Sequence, residues 1–185
     1  TTTTTNSNGI YTISVSFTAG QVVTVYLDGM TEKAVTVVTG ADSATGLTSF
    51  DLYQNRLIVL SESGAITNAN LDTANNNGDA DITYFIDASS TSASLLLTGG
   101  ASREFFVWQG STFTPGGNIT VNSDTDIRGN FNGGNFTNDY NSAFALSGGT
   151  YNASSGTTSW LTSVTITNLG TGTTFNHSSG TAILD

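Results

Sequence analysis

Short apolar runs bounded by turn residues predict β-strands between residues 9 and 109, and the first run, residues 10–17, alternates between hydrophobic and polar positions. Such period-2 alternation is typical of a strand that buries one face. Turn residues, mostly Gly beside Ala, Asp or Ser, follow these runs at the spacing of an antiparallel β-sandwich, about every ten residues. No window has the apolar stripe of a helix, so we expect little helix. The predicted strands are 10–17, 22–27, 34–39, 56–60, 82–86, 94–98 and 104–108.

From about Gly110 onward the pattern becomes repetitive. The sequence of residues 149–157 recurs at residues 173–181, an offset of 24 residues, and looser copies occur around Phe113 and Phe136. Repeats of this length, with one aromatic or β-branched strand and Gly, Asn and Ser corners, are typical of stacked β-coils. The shorter spacing between Phe136 and Tyr151 interrupts the period, so a second sandwich stays open as an alternative.

These patterns predict an all-β chain in three parts. Residues 1–8, a Thr/Asn/Ser tract, form an arm or linker, and residues 9–109 form a β-sandwich-like part. Residues 110–185 form a repetitive β-coil part, that is, a β-solenoid or β-helix. The alternative fold is two β-sandwiches.

Composition and charge narrow the choice of partners. Thr, Ser, Asn and Gly fill about half of all positions, and charged residues make up 10%. The net charge is -10, with four Lys and Arg in total, so we expect no nucleic-acid partner. No apolar run is long enough for a spanning helix, so we expect no membrane insertion. Cysteine is absent, which excludes disulfides and thiolate metal sites.

Several segments share a similar pattern of strand-forming and turn-forming residues. The longest are SNGIYTISV (residues 7–15) and GQVVTVYLDG (residues 20–29), with shorter ones at 52–59, 78–82 and 112–117. These segments resemble modules of very large, repetitive, β-rich cell-surface proteins of uncultured bacteria. The resemblance implies an extracellular building block at the cell surface, and it implies no catalysis.

One Asn- and Asp-rich stretch has oxygen side chains at the alternate positions of a calcium loop. Asn75, Asn77, Asp79 and Asp81 alternate around Gly78, and hard cations are wrapped by loops of this kind. The leading position is Thr73 rather than Asp, and no Glu closes the loop. Calcium is therefore the one cofactor that we consider, and a metal-free Asn-rich turn is the alternative.

We expect no catalytic residues and no enzyme activity. His177, the only histidine, aligns with Ala153 in the repeat, which argues against a triad through it. Paired carboxylates would suit a glycosidase, but Asp beside Gly, Ser and Asn more often caps a turn. The carboxylates considered are Glu62, Glu104, Asp124, Asp126 and Asp139.

The expected function is structural. We expect a subunit or segment of an extracellular bacterial surface filament, stalk or adhesin that assembles head to tail with copies of itself or with neighbouring modules. The first alternative is a phage virion fibre or capsid decoration protein. The second is a carbohydrate-binding module for surface glycans, with Trp108 and Trp160 as platform candidates and Tyr53 as a further one. The expected assembly residues are Ile10, Tyr11, Ile13, Val15, Ile183 and Leu184.

Overall fold

The structure is a computed structural model that describes residues 1–40, Leu47, 50–75, 78–89, 92–98, 103–167 and 172–185. It is 41% strand and 5% helix. The helix is α1 (Asn68–Asn75). The strands are β1 (Val22–Tyr26), β2 (Val35–Thr39), β3 (Arg56–Ser61), β4 (Tyr84–Phe85), β5 (Ser92–Leu97), β6 (Glu104–Val107), β7 (Thr112–Phe113), β8 (Asn118–Val121), β9 (Asp124–Ile127), β10 (Asn130–Asn132), β11 (Asn138–Tyr140), β12 (Phe144–Leu146), β13 (Gly149–Asn152), β14 (Thr157–Trp160), β15 (Val164–Ile166), β16 (Thr173–Asn176) and β17 (Thr181–Leu184).

The strands form a β-solenoid of about six turns with three sheets as its sides. From β6 to β17 the chain visits the three sheets in rotation, so each strand pairs in parallel with the strand one coil away. This confirms the predicted all-β fold with a solenoid part. Sheet I is β1-β2-β3-β6-β9-β12-β15, sheet II is β7-β10-β13-β16, and sheet III is β4-β5-β8-β11-β14-β17.

The predicted repeat is confirmed in one place and wrong in another. Tyr151 pairs with Phe175 and Gly149 with Thr173, which is the offset of 24 residues. The partner of Phe113, however, is Phe131, and Phe136 lies at the corner between β10 and β11. The strands stay in register, but the corners between them differ in length from coil to coil. A fixed period therefore aligns Phe136 with Phe113, although the residue that pairs with Phe113 is Phe131.

Parallel pairing also dominates the N-terminal part. β2, β3 and β6 lie side by side in parallel, because each connection carries the chain back to the same end of sheet I. The antiparallel pairing expected for a sandwich occurs between β1 and β2 and between β4 and β5. The boundary predicted near Gly110 falls between β6 and β7, and sheet I continues past it through the pairing of β6 with β9.

The strand predicted over residues 10–17 is wrong, since these residues belong to no sheet. Side chains rather than a backbone ladder hold the segment. The Tyr11 hydroxyl donates a hydrogen bond to the Phe50 carbonyl. The Phe17 side chain is buried against Gly40, where a Cβ would overlap the Phe17 ring.

Helix α1 ends at Asn75, the first of the predicted calcium residues. Thr67 precedes it and forms a reciprocal cap with Asn70. The backbone N–H of Asn70 donates to Thr67 Oγ1 at 3.2 Å, and the backbone N–H of Thr67 donates to Asn70 Oδ1 at 2.9 Å. Such a cap satisfies two amides that the first helical turn leaves unpaired. Leu71 anchors the helix and is fully buried in the core.

The core is a column of side chains that stack from coil to coil. Phe113, Phe131, Tyr151 and Phe175 follow one another in sheet II, with ring centroids 5.7, 4.9 and 5.6 Å apart. The Tyr151 and Tyr140 hydroxyls share a hydrogen bond of 3.1 Å. One coil cannot bury this inner face alone, so stacking is what stabilises the fold.

Asparagines form a second column on the outside of sheet II. Asn176 Nδ2 donates to Asn152 Oδ1, and Asn152 Nδ2 donates to Asn132 Oδ1, each at 2.7 Å. On sheet III, Asn141 donates to Asn122 at 2.8 Å in the same way. Every amide in these columns donates toward the N-terminal end of the solenoid.

The two ends of the solenoid differ. At the N-terminal end, β1 covers β2, β4 covers β5, and Ile66 bridges to Phe113 just before α1. At the C-terminal end, β15, β16 and β17 each have a strand partner on one side only among the residues that the structure describes. Leu184 at this end is 70% exposed.

Candidate functional site

The outer face of sheet I carries a group of aromatic and charged side chains around β6. Side chains alternate along a strand, so Phe105 and Val107 enter the core while Glu104, Phe106 and Trp108 face outward. We call the outward group the outer-face cluster. It consists of Tyr53, Arg56, Glu104, Phe106, Trp108, Asp126 and Arg128.

Three rings form the centre of the outer-face cluster. The Tyr53 and Trp108 rings are stacked with centroids 5.8 Å apart and planes 26° apart. The Phe106 ring lies 5.7 Å from Trp108. The guanidinium carbons of Arg56 and Arg128 lie 4.5 and 5.0 Å from the Phe106 centroid, which is within the range of cation–π attraction. Phe106 is buried beneath them, whereas Tyr53 is 43% exposed.

Two ion pairs surround these rings. Arg56 Nε lies 2.6 Å from Glu104 Oε2, and Arg128 Nε lies 2.9 Å from Asp126 Oδ2. Burial raises the pKa of Glu104, the Arg56 charge opposes that rise, and the Asp126 charge adds to it. Asp126 Oδ1 is buried without a hydrogen-bond partner among the described residues. Glu104 therefore combines an arginine partner with burial that penalises its charge.

An open groove of about 460 Å³ runs beside Arg128 along the corner between sheets I and II. Its polar lining includes Gln109, Asn130 and Ser147. Glycines form much of the rest, because successive coils approach closely here. A Cβ at Gly129, for example, would overlap the carbonyls of Trp108 and Ser111.

Trp160 is not a glycan platform, contrary to the expectation from the sequence. It is 3% exposed and faces the core, with its ring 6.2 Å from Tyr140 and 6.1 Å from Phe175. Its strand position pairs with Tyr140, which also points inward. Of the two tryptophans predicted as platforms, only Trp108 lies on the outside.

The predicted calcium residues have other partners. The Lys33 ammonium pairs with Asp81, which also accepts the Gly29 amide at 2.6 Å. The hydrogen bond from Lys33 is the main cause of a lowered pKa at Asp81. Tyr26 donates its hydroxyl to Asp79 at 2.7 Å, and this bond raises the pKa of Tyr26 to about 12.

Asn75 Nδ2 donates to the Tyr84 carbonyl at 2.7 Å, and Asn77 lies outside the described residues. Within the described part of the chain, no group of three or more His, Cys, Asp and Glu side chains is arranged to hold a metal ion. The calcium site stays a prediction.

The other acidic candidates and the histidine lie apart from one another. Asp139 accepts a hydrogen bond from Ser159 on sheet III, Glu62 follows β3, and His177 is exposed after β16.

Asp124, by contrast, lies beside the outer-face cluster. It pairs in register with Glu104 and accepts a hydrogen bond from the Ser142 hydroxyl at 2.5 Å. The parallel register thus brings Glu104, Asp124 and Asp126 to one face, which their separation along the sequence does not indicate.

The predicted assembly residues lie at the two ends of the solenoid. Ile183 and Leu184, on β17, are 38% and 70% exposed, and Ile10 and Val15 are 62% and 47% exposed. A cavity of about 490 Å³ lies between residues 9–17 and β1, and it is lined by both segments. Tyr11 and Ile13 are half-buried in its wall.

No family model matches the chain, and no curated protein and no solved structure is significantly similar to it. None of the helical residues that the structure describes belongs to a segment long and apolar enough to cross a membrane.

Proposed function

We propose that this chain is a structural segment of an extracellular filament, stalk or adhesin at a bacterial surface, and that it assembles head to tail through β-strand contacts. The partner is a second copy of the chain or a neighbouring module of the same kind. The observation that carries the proposal is that β15, β16 and β17 at one end and β1 at the other each have a strand partner on one side only among the described residues.

Unpaired strand edges favour the addition of another strand. A row of free amide and carbonyl groups pairs readily with an extended segment, and main-chain hydrogen bonds then give the contact its affinity. On β17 these groups lie next to the exposed side chains of Ile183 and Leu184. Because these side chains are 38% and 70% exposed, burial of their remaining surface adds about 2 to 3 kcal/mol before the cost of association.

The N-terminal end offers a matching surface. β1 pairs only with β2 among the described residues, so its outer edge is open for one more strand. The cavity beside it is lined by apolar side chains that include Ile13, Val15 and Val23. Addition of β17 from one copy next to β1 of another would carry Ile183 and Leu184 into this cavity. Such a head-to-tail contact does not close on itself, so it generates a filament.

The interior supports a mechanical role. The largest buried side chains, such as Phe131, Tyr140 and Tyr151, stack on one another. Outside, the Asn152 amide column bonds one coil to the next. Low charge and the resemblance to surface-protein modules are consistent with an exposed, repetitive building block.

Electron microscopy and sedimentation of the purified chain test the proposal. We expect filaments that lengthen with protein concentration. The double variant Ile183→Lys/Leu184→Lys places two charges at the contact and should remain monomeric, as should Val15→Lys at the opposite end. We further propose that the arm, residues 1–8, contributes to the same contact, so its deletion should also leave a folded monomer.

Leu96→Lys is the matched control, because Leu96 is 42% exposed and lies on β5, which has strand partners on both sides. It should assemble like the unchanged chain, and circular dichroism should be the same for all variants. A chain that stays monomeric at millimolar concentration contradicts the proposal. Normal filaments from the chain without residues 1–8 contradict the role of the arm alone.

A further inference from the structure

We propose that the outer-face cluster and the adjoining groove form a binding site for neutral oligosaccharides, with the Tyr53 and Trp108 rings as its stacking platform. The site lies on a side of the solenoid rather than at an end. It is therefore independent of head-to-tail assembly.

The platform is rigid and accessible. The Tyr53 and Trp108 rings stack on each other with planes 26° apart, so the surface that they offer consists of their exposed edges and the ring face that the partner does not cover. Phe106 lies 5.7 Å from Trp108, and the Arg56 guanidinium lies 5.6 Å from the Tyr53 centroid. Tyr53 leaves 43% of its surface to solvent. Aromatic rings with a polar edge offer a flat apolar face that loses little conformational entropy on binding. The C–H face of a pyranose ring is the ligand surface that matches such a platform.

Hydrogen-bonding groups continue from the platform along the corner. Glu104 faces outward four positions before Trp108, and Gln109 follows Trp108 directly. Asn130 and Ser147 line the groove on the next two coils. Three coils at the strand spacing of a β-sheet span about 10 Å. That length suits a short oligosaccharide better than a single sugar.

Charge selects against acidic ligands. Arg56 and Arg128 are each paired with a carboxylate, so neither guanidinium is left to attract an anion. Asp124 adds an acidic group on the same face, and the chain as a whole carries -10. Uronate-rich or sulfated glycans would meet a repulsive field. Neutral hexose and pentose polymers are the ligands that remain compatible.

Tryptophan fluorescence tests the proposal directly, because Trp108 and Trp160 are the only two tryptophans. In Trp160→Phe, the emission comes from Trp108 alone. We expect a saturable change in its emission on titration with at least one of cellohexaose, xylohexaose, mannohexaose and maltohexaose. Oligogalacturonate of the same length serves as the acidic comparison and should bind at least about tenfold more weakly.

Tyr53→Ala and Trp108→Ala should each weaken binding about tenfold or more, measured by calorimetry, because both remove half of the platform. Tyr53 is exposed in a turn, so its variant should fold even if Trp108→Ala does not. Phe85→Ala is the matched control, since Phe85 is an aromatic side chain 56% exposed on sheet III. It should bind like the unchanged chain.

Three results would overturn the site. The first is the absence of binding to all four neutral oligosaccharides, and the second is equal binding by Tyr53→Ala. The third is preferential binding of oligogalacturonate. Filament formation is measured separately, so failure of this site and failure of the assembly proposal are distinguishable.

Discussion

At Gly149 two coils of the solenoid approach so closely that no side chain fits between them. Its φ is +62°, in the left-handed region, and a Cβ would overlap the Gly129 carbonyl. Gly110, at an earlier corner, has a φ of +81° but open space around it. The two positions separate the cost of backbone strain from the cost of a steric clash.

Gly149→Ala should therefore destabilise the chain more than Gly110→Ala. The strain of a positive φ costs about 1–2 kcal/mol at either position, and forced overpacking adds about 1–3 kcal/mol at Gly149 alone. Urea unfolding followed by circular dichroism measures both. Equal losses of unfolding free energy would contradict the clash.

Single residues also mark where sequence patterns fail for the candidate site. The run from Glu104 to Trp108 is apolar at both parities, so alternation alone does not tell which side chains face outward. Trp160 looks equally exposed in the sequence, yet its register with Tyr140 places it in the core. Trp108 and Tyr53 are both platform candidates in the sequence, but Tyr53 comes from a preceding turn and only the fold brings the two rings together.

At the scale of elements, the aromatic stack of sheet II explains why strands of three or four residues are stable. Phe131 lies between Phe113 and Tyr151 and is fully buried, whereas Phe175 stacks only on Tyr151 in sheet II and is half-buried. The stack thus contains an interior ring and an end ring of the same residue type.

Phe131→Ala should lower the free energy of unfolding by about 3–5 kcal/mol, as for a fully buried phenylalanine. Phe175→Ala should cost less than half as much, because part of its ring already contacts water. Chemical denaturation at one temperature compares them. A loss at Phe175 as large as that at Phe131 would argue that the last coil is covered in solution.

The sequence pattern predicts where the strands lie along the chain better than it predicts which strands pair with each other. The strands predicted at 22–27, 34–39, 56–60 and 104–108 match β1, β2, β3 and β6 within one residue at each end, because short apolar runs bounded by turn residues predict buried strands even where they do not alternate. Partner choice depends on the path of the connections, which leaves no periodic signal. Residues 10–17 do alternate, but their backbone forms no strand, and the side chains of Tyr11 and Phe17 contact Phe50 and Gly40 instead.

For the molecule as a whole, buried tyrosines couple stability to alkaline pH. Burial raises the pKa of Tyr84, Tyr140 and Tyr151, and the hydrogen bond to Asp79 raises that of Tyr26. These folded-state values lie above the unfolded value of about 10. Their contribution to stability is thus complete below pH 10 and is lost as the pH rises above it, where only the unfolded chain ionises.

Above pH 10, each such tyrosine should steepen the fall in unfolding free energy, up to about 1.4 kcal/mol per pH unit. Tyr140→Phe should make the fall in unfolding free energy with pH shallower, because one of the titrating tyrosines no longer contributes to it. Urea unfolding at several pH values between 9 and 11.5 measures the slope. Phe131→Leu is the control, since it weakens the core without removing a titrating group. A Tyr140→Phe slope equal to that of the unchanged chain would contradict the coupling.

The asparagine columns give the molecule a built-in direction. Each asparagine Nδ2 donates its hydrogen bond to the preceding coil. The Oδ1 atom of Asn176, the last asparagine of the column, therefore receives no hydrogen bond from within the column. A following strand would extend the column by bringing an amide or hydroxyl to that oxygen, whereas an ionised aspartate there would be repelled. If subunits add in the proposed head-to-tail manner, this column makes their addition vectorial, as in a polar polymer.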